Sequence, residues 1–397
     1  MAAAADWPQF QGPDRNGISP ETGLARQWPD LGPKALWTVK CSLGEGGIAV
    51  SGRDVYFLEQ DQAAQKTNLR CLDAVTGKES WRFTFAAGVS PYGALSTPTV
   101  AGRYVFVIGS GGEMHCVDRK THQSRWHLNL LTDFKGANTD WGVPQSPLLY
   151  KDRVIVSPQS PEAGVVALKQ STGEIVWKSD PIGVMGYTSP YLTTIDGVQQ
   201  IVMIGKGGVG DNIAVHPNVV GIDPATGKIL WKYTGWRCDN PIPWPTPLGD
   251  GRFFFCAWYS ATGTMIKVQH TGADWSVSEL YTGKPYNSII QHSLYCDGFL
   301  YVTYSGLWCI DPAGLVKWQS KVRFGNGNFI IADHLIYIMD SESGRLTLVD
   351  ASPDGYKELG KAPVLEGKDI YAPMALADGR LFLRDRQEIK CLDVRNP

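Results

Sequence analysis

Residues 222–233 read IDPATGKILWKY, and near-copies stand at 72–83 (LDAVTGKESWRF), 168–179 (LKQSTGEIVWKS) and, more worn, 309–320 (CIDPAGLVKWQS). In the clearest copies an Asp is followed by Thr-Gly and, eight residues after the Asp, by Trp: Asp73, Thr76, Gly77 and Trp81, then Asp223, Thr226, Gly227 and Trp231. Each component has a physical task in a hairpin. The Asp carboxylate caps the turn, the Gly takes a positive φ, and the strand that follows carries the Trp in alternation.

The tryptophans set the period. Trp37, Trp81, Trp126, Trp177, Trp231 and Trp318 are separated by 44, 45, 51, 54 and 87 residues, and the last step spans two periods. WSVSELYT (275–282) fills that gap, and YKELGKA (356–362) is a further copy without Trp. Between copies lie pairs of β-type segments joined by tight turns, such as TPTVAGRYVFVIGS, TPLGDGRFFFCAWY and NFIIADHLIYIMDS. They are rich in β-branched and aromatic residues. Four strands per period of about 45 residues, eight times over, predict an all-β chain folded as one eight-bladed β-propeller over 35–397. Repeats begin in mid-unit at ALWTVK (35–40) and end on EIKCLDVRNP (388–397), so the two ends are expected to complete one shared blade and leave no open edge. Residues 1–34 are expected to form an arm laid on the propeller, and a monomer is expected.

Composition excludes several classes. Lys plus Arg number 37 and Asp plus Glu 39 in 397 residues, so the net charge of −2 offers no field for nucleic acid. No apolar run is long enough to cross a membrane as a helix. The Ala run before Asp6 looks like the small-residue end of a cleaved export signal, and it predicts a periplasmic or secreted protein. The eight cysteines include no adjacent pair and no C-x-x-C, so they read as small buried hydrophobes rather than metal ligands. No metal-ligand spacing is present, and no metal site is predicted.

The Asp-x-x-Thr-Gly-x-x-x-Trp unit resembles the PQQ-like repeat of β-propellers, shared by quinoprotein alcohol dehydrogenases and by the propeller lipoprotein of outer-membrane protein assembly. The opening DWPQFQGPDRNGIS, with SPYGALSTPTV and APMALADGRLFLRD, resembles more specifically the exported PQQ-binding-like propeller proteins of planctomycete-type bacteria. The resemblance implies the fold. For the dehydrogenase branch it also implies PQQ above a Ca²⁺ ion held by Glu, Asn and Asp, with adjacent cysteines as a disulfide against the quinone. This chain has no adjacent cysteines, which argues against PQQ with Ca²⁺ and leaves the cofactor unassigned.

In a propeller, the residues just before each first strand converge on the channel mouth. In register these include Glu45, Tyr92, Asp140 and Trp141, Tyr187, Asp239, Asn240 and Trp244, Asn287, Gln291 and His292, Arg323 and Asn326, and Tyr371. Aromatic faces beside amides and carboxylates suit a saccharide, whose C–H face stacks while its hydroxyls are hydrogen-bonded. The expected function is therefore binding of a small polar ligand, a saccharide, or of a protein partner at this mouth. The alternative is a carbohydrate-active enzyme at the same place, with His292, Asp140 and Asp239 as acid/base candidates. Lys206, at the start of the Gly-rich stretch 205–218, is expected to reach the ligand.

Overall fold

The structure is a computed structural model that describes residues 6–206, 218–238, 240–257, 262–286, 288–303 and 306–396. Asp239, Asn287 and most of the Gly-rich stretch fall outside these residues. Every element is a strand or turn, and the strands form eight sheets. In chain order the blades cover 49–86, 99–129, 148–178, 191–233, 246–284, 294–319, 329–363, and 375–393 together with 35–40. Each is a four-stranded antiparallel meander. Blade eight is closed by the first long strand, Ala35–Lys40, pairing antiparallel with the last, Glu388–Asp393, with Trp37 opposite Cys391. The chain is an eight-bladed β-propeller.

By internal contacts it divides into two compact units. One comprises Met1–Arg103 with Leu294–Pro397, and the other Tyr104–Ser293. The first holds blades one, six, seven and eight. The N-terminal segment is stitched to their edges. Trp7, 1% exposed, exchanges two backbone hydrogen bonds with Val50. Ile18–Ser19 adds a parallel strand to Phe329–Ala332. The Glu21 carboxylate accepts the N–H groups of Asp378 and Gly379, each at 2.6 Å.

The repeated turn behaves as its residues require. The Asp73 carboxylate accepts the Val75 and Thr76 N–H groups, and Asp223 does the same for Ala225. The Trp has a partner beyond its own blade. Trp37 donates its indole N–H to the Ala74 carbonyl, Trp126 to Gln170, Trp177 to Pro224 and Trp318 to Ser352, all in the turn of the following blade. The turn glycine is what lets the ring in. A Cβ on Gly77, Gly173 or Gly227 would sit 2.5–2.8 Å from the docked Trp37, Trp126 or Trp177.

Register also explains the cysteines. Cys71, Cys116, Cys309 and Cys391 lie directly opposite Trp81, Trp126, Trp318 and Trp37 across the third and fourth strands. Ala167 and Gly221 occupy the same place opposite Trp177 and Trp231. The position demands a small residue, and a thiol fills it. All eight cysteines are free. In blade five the residue in Trp register is Tyr281, opposite Met265, rather than Trp275, which stacks on His270 at 4.3 Å. In blade seven Gly360 takes the place, opposite Leu348.

Candidate functional site

The first unit gathers the most charged cluster at the expected positions. Glu45 lies in the loop LGEGG before the first strand of blade one. Its own N–H and that of Gly46 both bond the Ala94 carbonyl at 2.9 Å, and the Gly47 N–H bonds Thr97 Oγ1. Only glycines permit this approach: a Cβ on Gly46 would lie 2.3 Å from the Ser96 carbonyl oxygen. Gly46→Ala is therefore expected to cost about 2–3 kcal/mol and to displace Glu45, which a chemical denaturation midpoint and the ligand assay below would both register.

Arg386 meets the Glu45 carboxylate from the turn between the last two strands of blade eight, with Nε at 2.9 Å and Nη2 at 2.5 Å. Its Nη1 reaches Asp369 at 3.4 Å, and its guanidinium stands 5.4 Å from the centre of the Tyr92 ring. The Tyr371 hydroxyl donates to Asp369 at 3.0 Å and is also bonded by the Asn326 side chain. Burial pushes the Glu45 carboxyl up to about 7, although Arg386 pulls the other way. Burial, with the bond to Asp369, raises the Tyr371 phenol to about 12. A second arginine braces the loop from below. Arg384, 1% exposed, donates to the Leu58 carbonyl at 2.6 Å and to the Ser42 carbonyl at 3.1 Å.

The other candidates in the first unit follow their own neighbours. Arg323 is exposed and faces a cleft with Arg345 and Lys361, as described below.

The second unit presents two aromatic groups. Trp141 and Tyr187 pack with ring centres 4.7 Å apart, both half-buried, beside the exposed Asp140. Burial raises the Tyr187 phenol, and the Asp140 charge adds to it. Trp244 and His292 stack at 4.0 Å and 6°, and the Trp244 backbone N–H donates to His292 Nδ1 at 3.1 Å. Both rings are largely buried, at 4% and 7% exposure, as is Gln291 at 4%. The Asn240 Oδ1 is buried with no hydrogen-bond partner among the described residues. Lys206 forms a backbone bridge with Val184. Asp239 and Asn287 lie outside the described residues.

Sequence reasoning located Glu45, Tyr92, Asn326 and Tyr371 but missed Arg386 as the group that ties them together. The available signal was the charge density of RDRQE (384–388), in the turn that joins Arg380–Arg384 to Glu388–Asp393.

A family model described as outer membrane protein assembly factor BamB matches residues 65–320. The chain belongs to this family of PQQ-type propellers. Among curated relatives, quinohemoprotein alcohol dehydrogenase ADH IIB of Pseudomonas putida is 26% identical over 329 residues, 79% of this chain and 40% of that protein. Quinoprotein ethanol dehydrogenase of Pseudomonas aeruginosa is 30% identical over 38% of this chain and 24% of its own length. The chain thus spans well under half the length of either relative. Among solved structures, BamB from Moraxella catarrhalis superposes with a TM-score of 0.64 at 11% identity, covering 92% of this chain and 98% of that one. Europium-containing methanol dehydrogenase gives 0.69 at 12% identity, covering 96% and 89%. At such identities the likeness concerns the fold.

The quinone centre of the dehydrogenase branch can be tested on the donors of this PQQ-type propeller. Among the described residues no three His, Cys, Asp or Glu side chains come together as metal ligands. No cysteine neighbours another in sequence, and all are free. Among the described residues the adjacent cysteines of that centre have no counterpart.

Proposed function

We propose that this propeller is an exported binding protein for a small, polyhydroxylated ligand, a saccharide, held at the Glu45–Arg386–Asp369–Tyr371 cluster. The observation that carries this reading is the geometry of Arg386. Two carboxylates fix the guanidinium against the face of Tyr92, so donors, acceptors and an aromatic surface are arranged before any ligand arrives. Planar polar groups beside aromatic faces match a sugar's hydroxyls and its C–H face. Preorganisation lowers the entropy cost of binding.

One observation favours turnover at the same place. A carboxyl with a pKa near 7 is suited to deliver a proton at neutral pH, and Asp369 is a second carboxylate on the same arginine. The acid in a carbohydrate-active version of this site would be Glu45 rather than His292.

Thermal-shift measurements with mono- and oligosaccharides test the reading. A saccharide at 100 times its Kd adds about 2.7 kcal/mol to wild type. The shift is expected to vanish in Glu45→Gln and to shrink in Tyr371→Phe. A shift that survives Glu45→Gln unchanged, or silence over the whole panel, would sink the assignment and turn attention to a protein partner. Consumption of the bound sugar would establish the enzymatic version.

A further inference from the structure

We infer that a cleft on blade seven is a binding site for a tetrahedral oxyanion, a phosphate or sulfate group, separate from the Glu45 cluster and not dependent on its reading. The cleft encloses about 280 Å³, just under the range of small-molecule sites. Its walls include Arg323 and Phe324 from the connection into blade seven, Asp340 from a turn, Arg345 and Thr347 from one strand, and Lys361 from the next.

Strand register explains the convergence. Arg345 and Thr347 are two residues apart and so share a face. Lys361 lies directly opposite Thr347 on the neighbouring strand, Glu358–Pro363. The cations are left available. Neither Arg323 nor Arg345 has a carboxylate partner among the described residues, and Lys361 has only Glu358 at 4.0 Å, a weak, half-exposed pair. The one acid in the wall is occupied, since the Asp340 carboxylate accepts the Glu342 N–H and the Ser343 hydroxyl. Three positive charges therefore face a single committed negative one.

A second, independent observation comes from Thr347. It is fully buried, and its hydroxyl has no hydrogen-bond partner among the described residues. A buried hydroxyl left unpaired is costly, and an oxygen arriving in this cleft would supply the missing partner. Two guanidinium forks, an ammonium and a hydroxyl form the donor set that planar and point-charge recognition of a tetrahedral oxyanion requires. The overall charge of the chain is near neutral, so this is a local device for one anionic group, not a surface for a polyanion.

Calorimetric titration of the full chain at low salt would test it, with inorganic phosphate, sulfate, a sugar phosphate and the same sugar unphosphorylated. Saturable binding of phosphate or sulfate at one site per chain is expected. Arg345→Gln should weaken it about tenfold or more, and Thr347→Val by roughly three- to tenfold. Lys321→Gln removes a nearby exposed charge outside the cleft wall and should leave the affinity unchanged. Tighter binding of the sugar phosphate than of inorganic phosphate identifies an ester as the source, and equal affinity identifies the free anion. The site is overturned if none of the three anions binds saturably, if Lys321→Gln weakens binding as much as Arg345→Gln, or if Arg345→Gln and Thr347→Val bind like wild type. A saccharide response lost in Glu45→Gln while phosphate binding persists would show the two sites to be separate.

Discussion

Trp177→Ala is expected to lower the stability of the Tyr104–Ser293 unit by about 4 kcal/mol, with a melting midpoint roughly 10 °C lower. Three losses combine. The indole is 8% exposed and packs among Ile155, Ile201 and Ile222, so its removal opens a large cavity. Its N–H no longer satisfies the Pro224 carbonyl. The face of Gly227, which the ring closely covers, is left bare. Trp177→Phe should recover most of the packing but not the hydrogen bond, leaving about 1 kcal/mol of damage. Differential scanning calorimetry on the three proteins would measure both steps. A loss below about 1 kcal/mol for the alanine variant would mean that neighbouring blades are held together chiefly by something else.

The second large effect concerns Arg386. Glu45 carries a folded-state pKa of about 7 against an ordinary value of 4.5. Between those values the folded chain holds a proton that the unfolded chain has released. Stability from this group is therefore fully present below pH 4.5 and is lost as pH rises toward 7, by at most about 1.4 kcal/mol per pH unit. Above 7 the contribution is flat. Arg386→Ala removes the charge that favours the carboxylate, so the window should extend above 7 and saccharide affinity should fall about a hundredfold. Glu45→Gln should abolish the slope in both backgrounds. Denaturant melts at half-unit steps from pH 4 to 9 would check the sign. A slope that persists in Glu45→Gln would assign it to another group.

The blades were legible because each repeats the same turn chemistry. Asp73, Gly77 and Trp81 solve a local problem, and the solution recurs wherever the geometry does. Exceptions arose where the local pattern is replaced. Blade five turns tightly between Thr271 and Asp274 and lacks the Asp-x-x-Thr-Gly turn. Trp231 bonds Gln200 of its own blade instead, at 2.5 Å, and packs on Phe253. Tyr281 rather than Trp275 holds the docking register there, because the hairpin runs on to the tight turn after Thr271 and leaves Trp275 near its tip, opposite His270. The site was half legible. Register placed Glu45, Tyr92 and Tyr371 before first strands, yet pairing them required Arg386, which comes from near the other end of the chain in a second-to-third-strand turn whose length and sequence differ from blade to blade. The Arg345–Thr347–Lys361 cleft was equally hidden, since only Arg323 stands where mouth residues were sought.

The thiols opposite the docked tryptophans carry a consequence for how opening of the fold can be followed. Burial pushes Cys116 and Cys391 up to about 12 and Cys309 up to about 11. At neutral pH these three sulfurs then present almost no thiolate to an alkylating reagent or an oxidant. Reactivity at each of these sulfurs waits on separation of the strand that covers it. Blades one, two, six and eight each bear one such sulfur beneath a Trp, so alkylation resolved by peptide mass would time the opening of each blade separately, without any introduced label.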